Sequence, residues 1–236
     1  MKKIFTLTLK TTMRDMYLLF WSILLPVIGL VIVRYFFDHV SESLYLIGGI
    51  VGVSVLMYAF MTTSFHILSQ RKRGVFQLLH ITPMPLWKYI VSTSMARAIT
   101  AILSGVCIIV IGLLMFQDRI SFKTFMLFIP VFFLAAISYV ILSFFVSSLA
   151  KSEGQMSLVA NIITMPMIFL SNAFYSLESA PKMIQTLQVV NPYQWFINGL
   201  HAAINIDLSS YFISMALLIG FALLSSLLAL GTFKYE

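Results

Sequence analysis

The sequence predicts an all-α integral membrane protein with six membrane-spanning helices, and three observations lead there. Apolar residues make up 60% of the 236 positions and charged residues only 10%, where a soluble domain carries about 25% charged residues. Six apolar stretches recur between charged or turn-rich breaks, at 17–37, 44–66, 89–116, 124–149, 157–175 and 209–233. Each is long enough to cross about 30 Å of hydrocarbon as a helix. Lysine and arginine are also unevenly spread over the alternating connections. With both termini cytoplasmic, only Arg34, Arg119, Lys123 and Lys182 fall outside, which follows the positive-inside bias. Orientation therefore explains most of the net charge of +7, and a nucleic-acid partner is not expected.

The first stretch follows Lys2, Lys3, Lys10 and Arg14 and ends near Arg34. No small-x-small cleavage pattern follows it, so an uncleaved first span is expected. The second carries Gly48 and Gly52, a G-x-x-x-G pattern suited to close helix packing. Tyr58, Met61, Thr62 and Phe65 are spaced in it as one helix face.

Between spans two and three runs QRKRGVFQLLHITPMPLWKYI, residues 70–90. Gln70–His80 predicts a short helix with Arg71, Lys72 and Arg73 at its start. Val75, Phe76, Leu78 and Leu79 are its apolar set. Thr82 can cap a new helix with Pro83 at the first helical position and Pro85 in the first turn. The segment reads equally as an interfacial helix or as a docking element for a cytoplasmic partner. In span three, Arg97 either snorkels toward the cytoplasm or pairs with another subunit. Cys107 lies in an apolar run and reads as a packed thiol.

Span five places Asn161, Met165, Phe169 and Asn172 on one face. The segment 172–210 then predicts two short helices. Pro181 starts the first, with Met183, Ile184, Leu187 and Val190 as its stripe. Asn191 caps the second, with Pro192 at its first position. Tyr193, Trp195 and Phe196 are expected as an aromatic belt at the outer interface, and Asp207 or Ser209 as the cap of span six. The segment reads as a plain connection or as a lid.

Several chemistries are excluded or disfavoured. The eight acids, Asp15, Asp38, Glu42, Asp118, Glu153, Glu178, Asp207 and Glu236, all fall in loops, ends or span edges. Ion-coupled carriers and two-aspartate proteases need carboxylates inside the membrane. There is no H-E-x-x-H, no G-x-S-x-G and no phosphate loop in the sequence. His39, His66, His80 and His201 lack metal-ligand spacing. Uphill movement by this chain would draw its energy from another polypeptide.

One set of residues carries a resemblance. Arg71, Arg73, Gly74, Leu78, Leu79, Thr82, Pro83 and Pro85 lie between spans two and three, and Pro181, Asn191 and Pro192 lie before span six. In this order the chain resembles the membrane subunits of ATP-binding-cassette exporters of the ABC-2 type, with the type V fold, over essentially its whole length. It departs at Ser69 and Gln70, where relatives often carry an acid, and at His201, where many carry an arginine. The resemblance implies one transmembrane domain over 1–236, a coupling segment at 70–88 and an outer re-entrant or lid hairpin at 176–208. It implies a bacterial, multi-pass protein of the cell membrane. The partners it implies are two ATPase subunits, which hold ATP and Mg, and a second permease, identical or related. This chain would hold no cofactor and would be no enzyme.

Within that resemblance, Phe76, Leu78 and Leu79 are expected in a groove of the ATPase. Arg71 and Arg73 would orient the joint, Gly74 would permit close approach, and Thr82–Pro83 would restart the helix. Tyr58, Met61, Thr62 and Phe65, with Asn161, Met165, Phe169 and Asn172, are expected to line the pathway or to pack helices. Pro181, Asn191, Pro192, Trp195 and His201 mark the outer hairpin. The expected cargo is a small amphiphile, drug or peptide moved outward. The alternatives are an antimicrobial-sensing or resistance complex without net export, and lipid or glycan export.

Overall fold

Contacts between helix ends determine how this chain is threaded. A computed structural model describes residues 2–14, 16–36, 43–80 and 85–232. In chain order these form α1 (Lys2–Arg14), α2 (Met16–Phe36), α3 (Ser43–Leu56), a π-helical segment (Met57–Thr62) and α4 (Thr63–Lys72). There follow α5 (Val75–His80), α6 (Leu86–Phe116), α7 (Phe122–Leu149), α8 (Glu153–Phe169), α9 (Lys182–Val190), α10 (Pro192–Asn205) and α11 (Leu208–Thr232). Among the described residues every regular element is a helix.

Among the described residues, four helices are long and apolar enough to cross a membrane: Ser43–Lys72, Trp87–Phe116, Phe122–Leu149 and Leu208–Thr232. The expected first and fifth spans fall on α2 and α8. In α2, Ile23–Phe36 is a shorter apolar helix. With 17 residues, α8 reaches only about 25 Å at 1.5 Å per residue. It stops at Phe169 because Leu170 leaves helical geometry at ψ 42° while its N–H closes on Pro166 O. The expected span to residue 175 is thus cut short, and turns carry the chain onward. The basic N-terminal stretch, read from sequence only as a charged lead-in, is the helix α1. It packs along α6, with Thr12 buried and Ile4 against the core.

Side chains show which ends meet. Ser43, at the start of α3, donates to Asp118 just beyond α6. Arg34 near the end of α2 sits over the Phe116 ring, 5.6 Å from its centroid. Tyr211 at the start of α11 donates to Leu127 O in the first part of α7, at 2.9 Å. At the opposite end, Ser148 of α7 meets Thr232 of α11, and Lys72 of α4 meets Glu153 of α8. The bundle therefore has a hairpin end, next to α9 and α10, and a basic end, next to α5. Helix α7 packs against α3, α4, α6, α8, α10, α11 and the π segment. It presents small buried residues, Ala135, Ala136, Ser138, Ser143 and Ser147, which let neighbouring backbones approach.

The glycines of α3 make a bed for α10 and for the turn that follows α8. A Cβ on Gly49 would lie 2.2 Å from Ala173 O. On Gly52 it would lie 2.8 Å from Ile197 Cδ1 and 2.9 Å from the Tyr193 hydroxyl, whereas at Gly48 nothing is closer than 4.0 Å. The Tyr193 hydroxyl donates to Gly49 O at 3.2 Å. The tightest contact of this face is thus at Gly49, inside the G-x-x-x-G pattern and not at either of its ends. Alanine substitutions should destabilise in the order Gly49, Gly52, Gly48. Gly49→Ala should cost ~3 kcal/mol, because backbone cannot yield, and Gly48→Ala should be nearly neutral. Thermal unfolding of the detergent-solubilised variants measures this order.

Candidate functional site

At the basic end, α4 finishes on the arginine run, and the positive charges sit against the partial negative charge of a helix C-terminus. The sequence had suggested that Arg71–Arg73 open the next helix. They close the previous one, because Gly74 adopts φ +72°, a left-handed turn that ends α4. Arg71 is committed within the chain. Its Nη1 donates to Ser147 O at 2.5 Å and to Ala150 O at 3.4 Å, capping the last carbonyls of α7.

Phe76 is likewise turned inward, correcting its expected place in a partner's groove. It is 1% exposed, and its ring stands edge-on to Tyr89 at 5.4 Å. Tyr89 in turn stands edge-on to Phe144 of α7 at 6.2 Å, and its hydroxyl donates to Gln70 Oε1. Such edge-to-face pairs add to the burial of the rings themselves. Leu78, two residues on and so on the opposite side of the helix, is 61% exposed, and Arg73 and Gln77 are exposed with it. Thr82, Pro83 and the side chain of Leu79 lie outside the described residues. Helix α6 begins at Leu86 and not at Pro83, with Pro85 as N-cap at ψ 142°.

Beside this joint is a cavity of 470 Å³ lined by Met61, Thr62, Phe65, His66, Ser69 and Glu153. Three of the four expected span-two residues meet there. Tyr58 does not; it is buried in the core. The π segment Met57–Thr62 carries an extra residue relative to α-helical spacing, so Tyr58 leaves the face that the 3.6-residue count assigned to it. Lys72 and Glu153 approach to 4.0 Å at the rim, an exposed pair worth little. On α8, Met165 and Phe169 are exposed on the outer surface of the chain, and Asn161 bonds back to Ser157 O at 2.8 Å. These three do not line that cavity.

Arg97 neither snorkels nor reaches out of the chain. It is 2% exposed, and its Nη1 donates to Thr63 Oγ1 at 3.3 Å. Thr63 directly follows the π segment, whose altered register turns it toward α6.

The hairpin end is organised by amides. Asn191 Oδ1 accepts from Tyr193 N–H at 3.0 Å, capping α10, with Pro192 as the first helical residue. Its Nδ2 donates to Met167 O and Leu170 O at 2.7 and 2.8 Å, closing the end of α8. Gln194 Oε1 accepts from Asn172 N–H at 2.7 Å. Sequence reading passed over Gln194, although an N-cap followed three residues later by Gln is a recognisable helix start. Tyr193 and Phe196 are buried in protein, Phe196 packing with Tyr139, Phe132 and Tyr193, which corrects the expected interfacial belt. Trp195 is half-buried, and its Nε1 donates to Val189 O at 2.7 Å. Pro181 is the exposed N-cap of α9. Asp207 caps α11 through Ser209 and Ser210 N–H. His201 and Asn172 share the wall of a second cavity, of 410 Å³.

The described residues thus form an all-helical bundle with four helices long and apolar enough to span a membrane, a short helix after a basic run and an Asn-Pro hairpin. The family description ABC-2 type transporter matches residues 2–205, and the chain belongs to that family. It is a multi-pass membrane protein. It is also similar to the probable multidrug ABC transporter permease YbhR of Escherichia coli K12 and of Escherichia coli O157:H7, at 21% identity over 167 residues in each case. The match covers 71% of this chain and 45% of the relative, so this chain spans less than half the length of the proteins it resembles.

Two measurements check the geometry of these joints. Asn191→Ala should lower stability by ~2 kcal/mol through lost capping bonds. Asn191→Asp should not rescue it, because a carboxylate keeps the acceptor and loses both donors. Phe76→Ala should cost ~3 kcal/mol and Leu78→Ala less than ~0.5 kcal/mol, both read from thermal unfolding.

Proposed function

We propose that the chain is the membrane-spanning permease subunit of an ATP-driven exporter. In this reading six helices span the membrane with both ends cytoplasmic, and α5 lies in the cytoplasm against an ATPase subunit. Two ATPases, holding ATP and Mg, and a second permease complete the complex. The cargo is a small amphiphilic compound, drug or peptide moved outward.

One observation carries the reading. Helix α5 has one side locked into the bundle through Phe76 and the other side, with Leu78 and Arg73, open. A lever has this form. Displacement of α5 would pass through Phe76 and Tyr89 to Phe144, and through Arg71 to the last carbonyls of α7. Because α7 touches most of the bundle, it would carry the push as a rigid-body movement. The 470 Å³ cavity between α4 and α8 would change shape as α4 and α7 shift. Met61 and Phe65 offer adaptable apolar contacts there, and Thr62 and Ser69 offer hydroxyls.

The open face tests this reading. In the double variant Leu78→Ala with Arg73→Ala, co-purification of the ATPase and ATP-driven efflux of a fluorescent amphiphile from membrane vesicles should both fall about tenfold. The unfolding temperature should stay unchanged. Undiminished assembly and efflux would remove α5 from the coupling role.

A further inference from the structure

The helix Ser43–Lys72 is wound as a π-helix over Met57–Thr62. Such winding closes on the fifth residue back and not on the fourth, and it is rare outside functional sites. Its effect is visible at the cavity. Met61, Thr62, Phe65, His66 and Ser69 line the 470 Å³ space beside α8. Tyr58, which α-helical spacing sets on the face of Met61, Thr62 and Phe65, is 1% exposed in the core.

Two threonines follow the π spacing with their side chains. Thr62 Oγ1 donates to Met57 O and Thr63 Oγ1 to Tyr58 O, each at 3.5 Å and each five residues back. Thr63 is fully buried, and its hydroxyl also accepts from Arg97 Nη1 of α6 at 3.3 Å. A guanidinium only donates, and a hydroxyl has a single proton. With Arg97 donating to Oγ1, the Thr63 proton is directed to the Tyr58 carbonyl. A relay therefore runs from the Arg97 guanidinium through the Thr63 hydroxyl to the backbone of the π segment. Its bonds are long, but a charged donor and dry surroundings strengthen linked hydrogen bonds. Packing alone is met as well by an uncharged side chain of the same length, so a guanidinium at 2% exposure calls for a polar role.

We propose that Arg97 is a positioning residue. Acting through Thr63, it holds the π register, and so keeps Met61, Thr62 and Phe65 on the cavity wall and Tyr58 in the core. Without this clamp the helix relaxes to α-helical spacing. The residues on either side of the segment then turn relative to one another by about 100°, and Tyr58 joins the cavity face. The assignment concerns side-chain placement, and only the efflux measurement below rests on the export reading.

Thiol labelling reads the register directly. Tyr58→Cys, Met61→Cys and Phe65→Cys are made singly in a Cys107→Ser background, in the full chain in lipid nanodiscs, and reacted with methanethiosulfonate ethylammonium. With Arg97 and Thr63 intact, Met61→Cys and Phe65→Cys should label at least tenfold faster than Tyr58→Cys. Arg97→Met removes the donor, and Thr63→Val keeps the branched shape and removes the hydroxyl. Each should reduce the contrast to less than threefold, and Thr63→Ser, which keeps the hydroxyl, should retain it. An arginine with only a structural role would lower the unfolding temperature in Arg97→Met and leave the contrast unchanged, and that result would overturn the proposal. So would a contrast lost in Arg97→Met but kept in Thr63→Val, one lost equally in Thr63→Ser, or none with both residues intact. If Arg97→Met does not fold, the comparison of Thr63→Val with Thr63→Ser decides. In vesicles with the ATPase, contrast lost while efflux of the fluorescent amphiphile is unchanged would support the Arg97 assignment and count against the cavity's place in the export reading.

Discussion

A helix that ends inside a bundle leaves backbone groups that water does not reach, and Asn191 satisfies two such ends at once. Its carbonyl oxygen accepts the first free amide of α10, and its amide nitrogen closes two carbonyls at the end of α8. Without these bonds each group would carry its full desolvation penalty. The short helix α8, the turn after it and the buried helix α10 are therefore one unit. The glycine face of α3 then receives α10. The Asn-Pro pair is thus more than a helix start, because it joins the 17-residue helix α8 to the element packed behind it.

The basic end solves the same problem with a different side chain. Arg71 reaches from α4 to the last carbonyls of α7, as Asn191 reaches to those of α8. Each end of the bundle is thus closed by a polar group from another helix, the arrangement an environment without water demands. At the basic end the closure has a mechanical consequence. Arg71 and Phe76, three residues either side of the left-handed Gly74 turn or closer, fasten both arms of the turn to α7 through its carbonyls and through Phe144. What remains free is a narrow face around Arg73 and Leu78. The proposed coupling role rests on this division of one short segment into a locked side and an open side.

Much of the fold was legible in the sequence. Apolar runs found the long helices, and Asn191–Pro192 found the start of α10. Gly74 was read as a point of close approach, while its structural effect is to end α4. The errors have physical causes. Periodicity assumes α-helical spacing, so the π segment moved Tyr58 off its assigned face. Composition cannot distinguish an apolar side chain that faces a partner from one that faces its own chain, so Phe76 was assigned outward. An aromatic residue near a span end suggests an interface, but Tyr193 and Phe196 fill space left by Gly52 and by α7. Arg97 was judged by the cost of a charge among lipids, and its bond to Thr63 depends on a helix register that no local pattern announces. The cavity at His201 is assembled from α3, α10 and a loop far apart in sequence.

Helix α5 turns Leu78 outward and Phe76 inward to the bundle, and the proposed function sets the Leu78 side against an ATPase. Single cysteines at these two positions, in a Cys107→Ser background, distinguish the two sides. In membranes that contain the partner ATPase, a bifunctional thiol cross-linker should join the two subunits through Leu78→Cys and not through Phe76→Cys. A cross-link through position 76, or through neither position, would contradict the account.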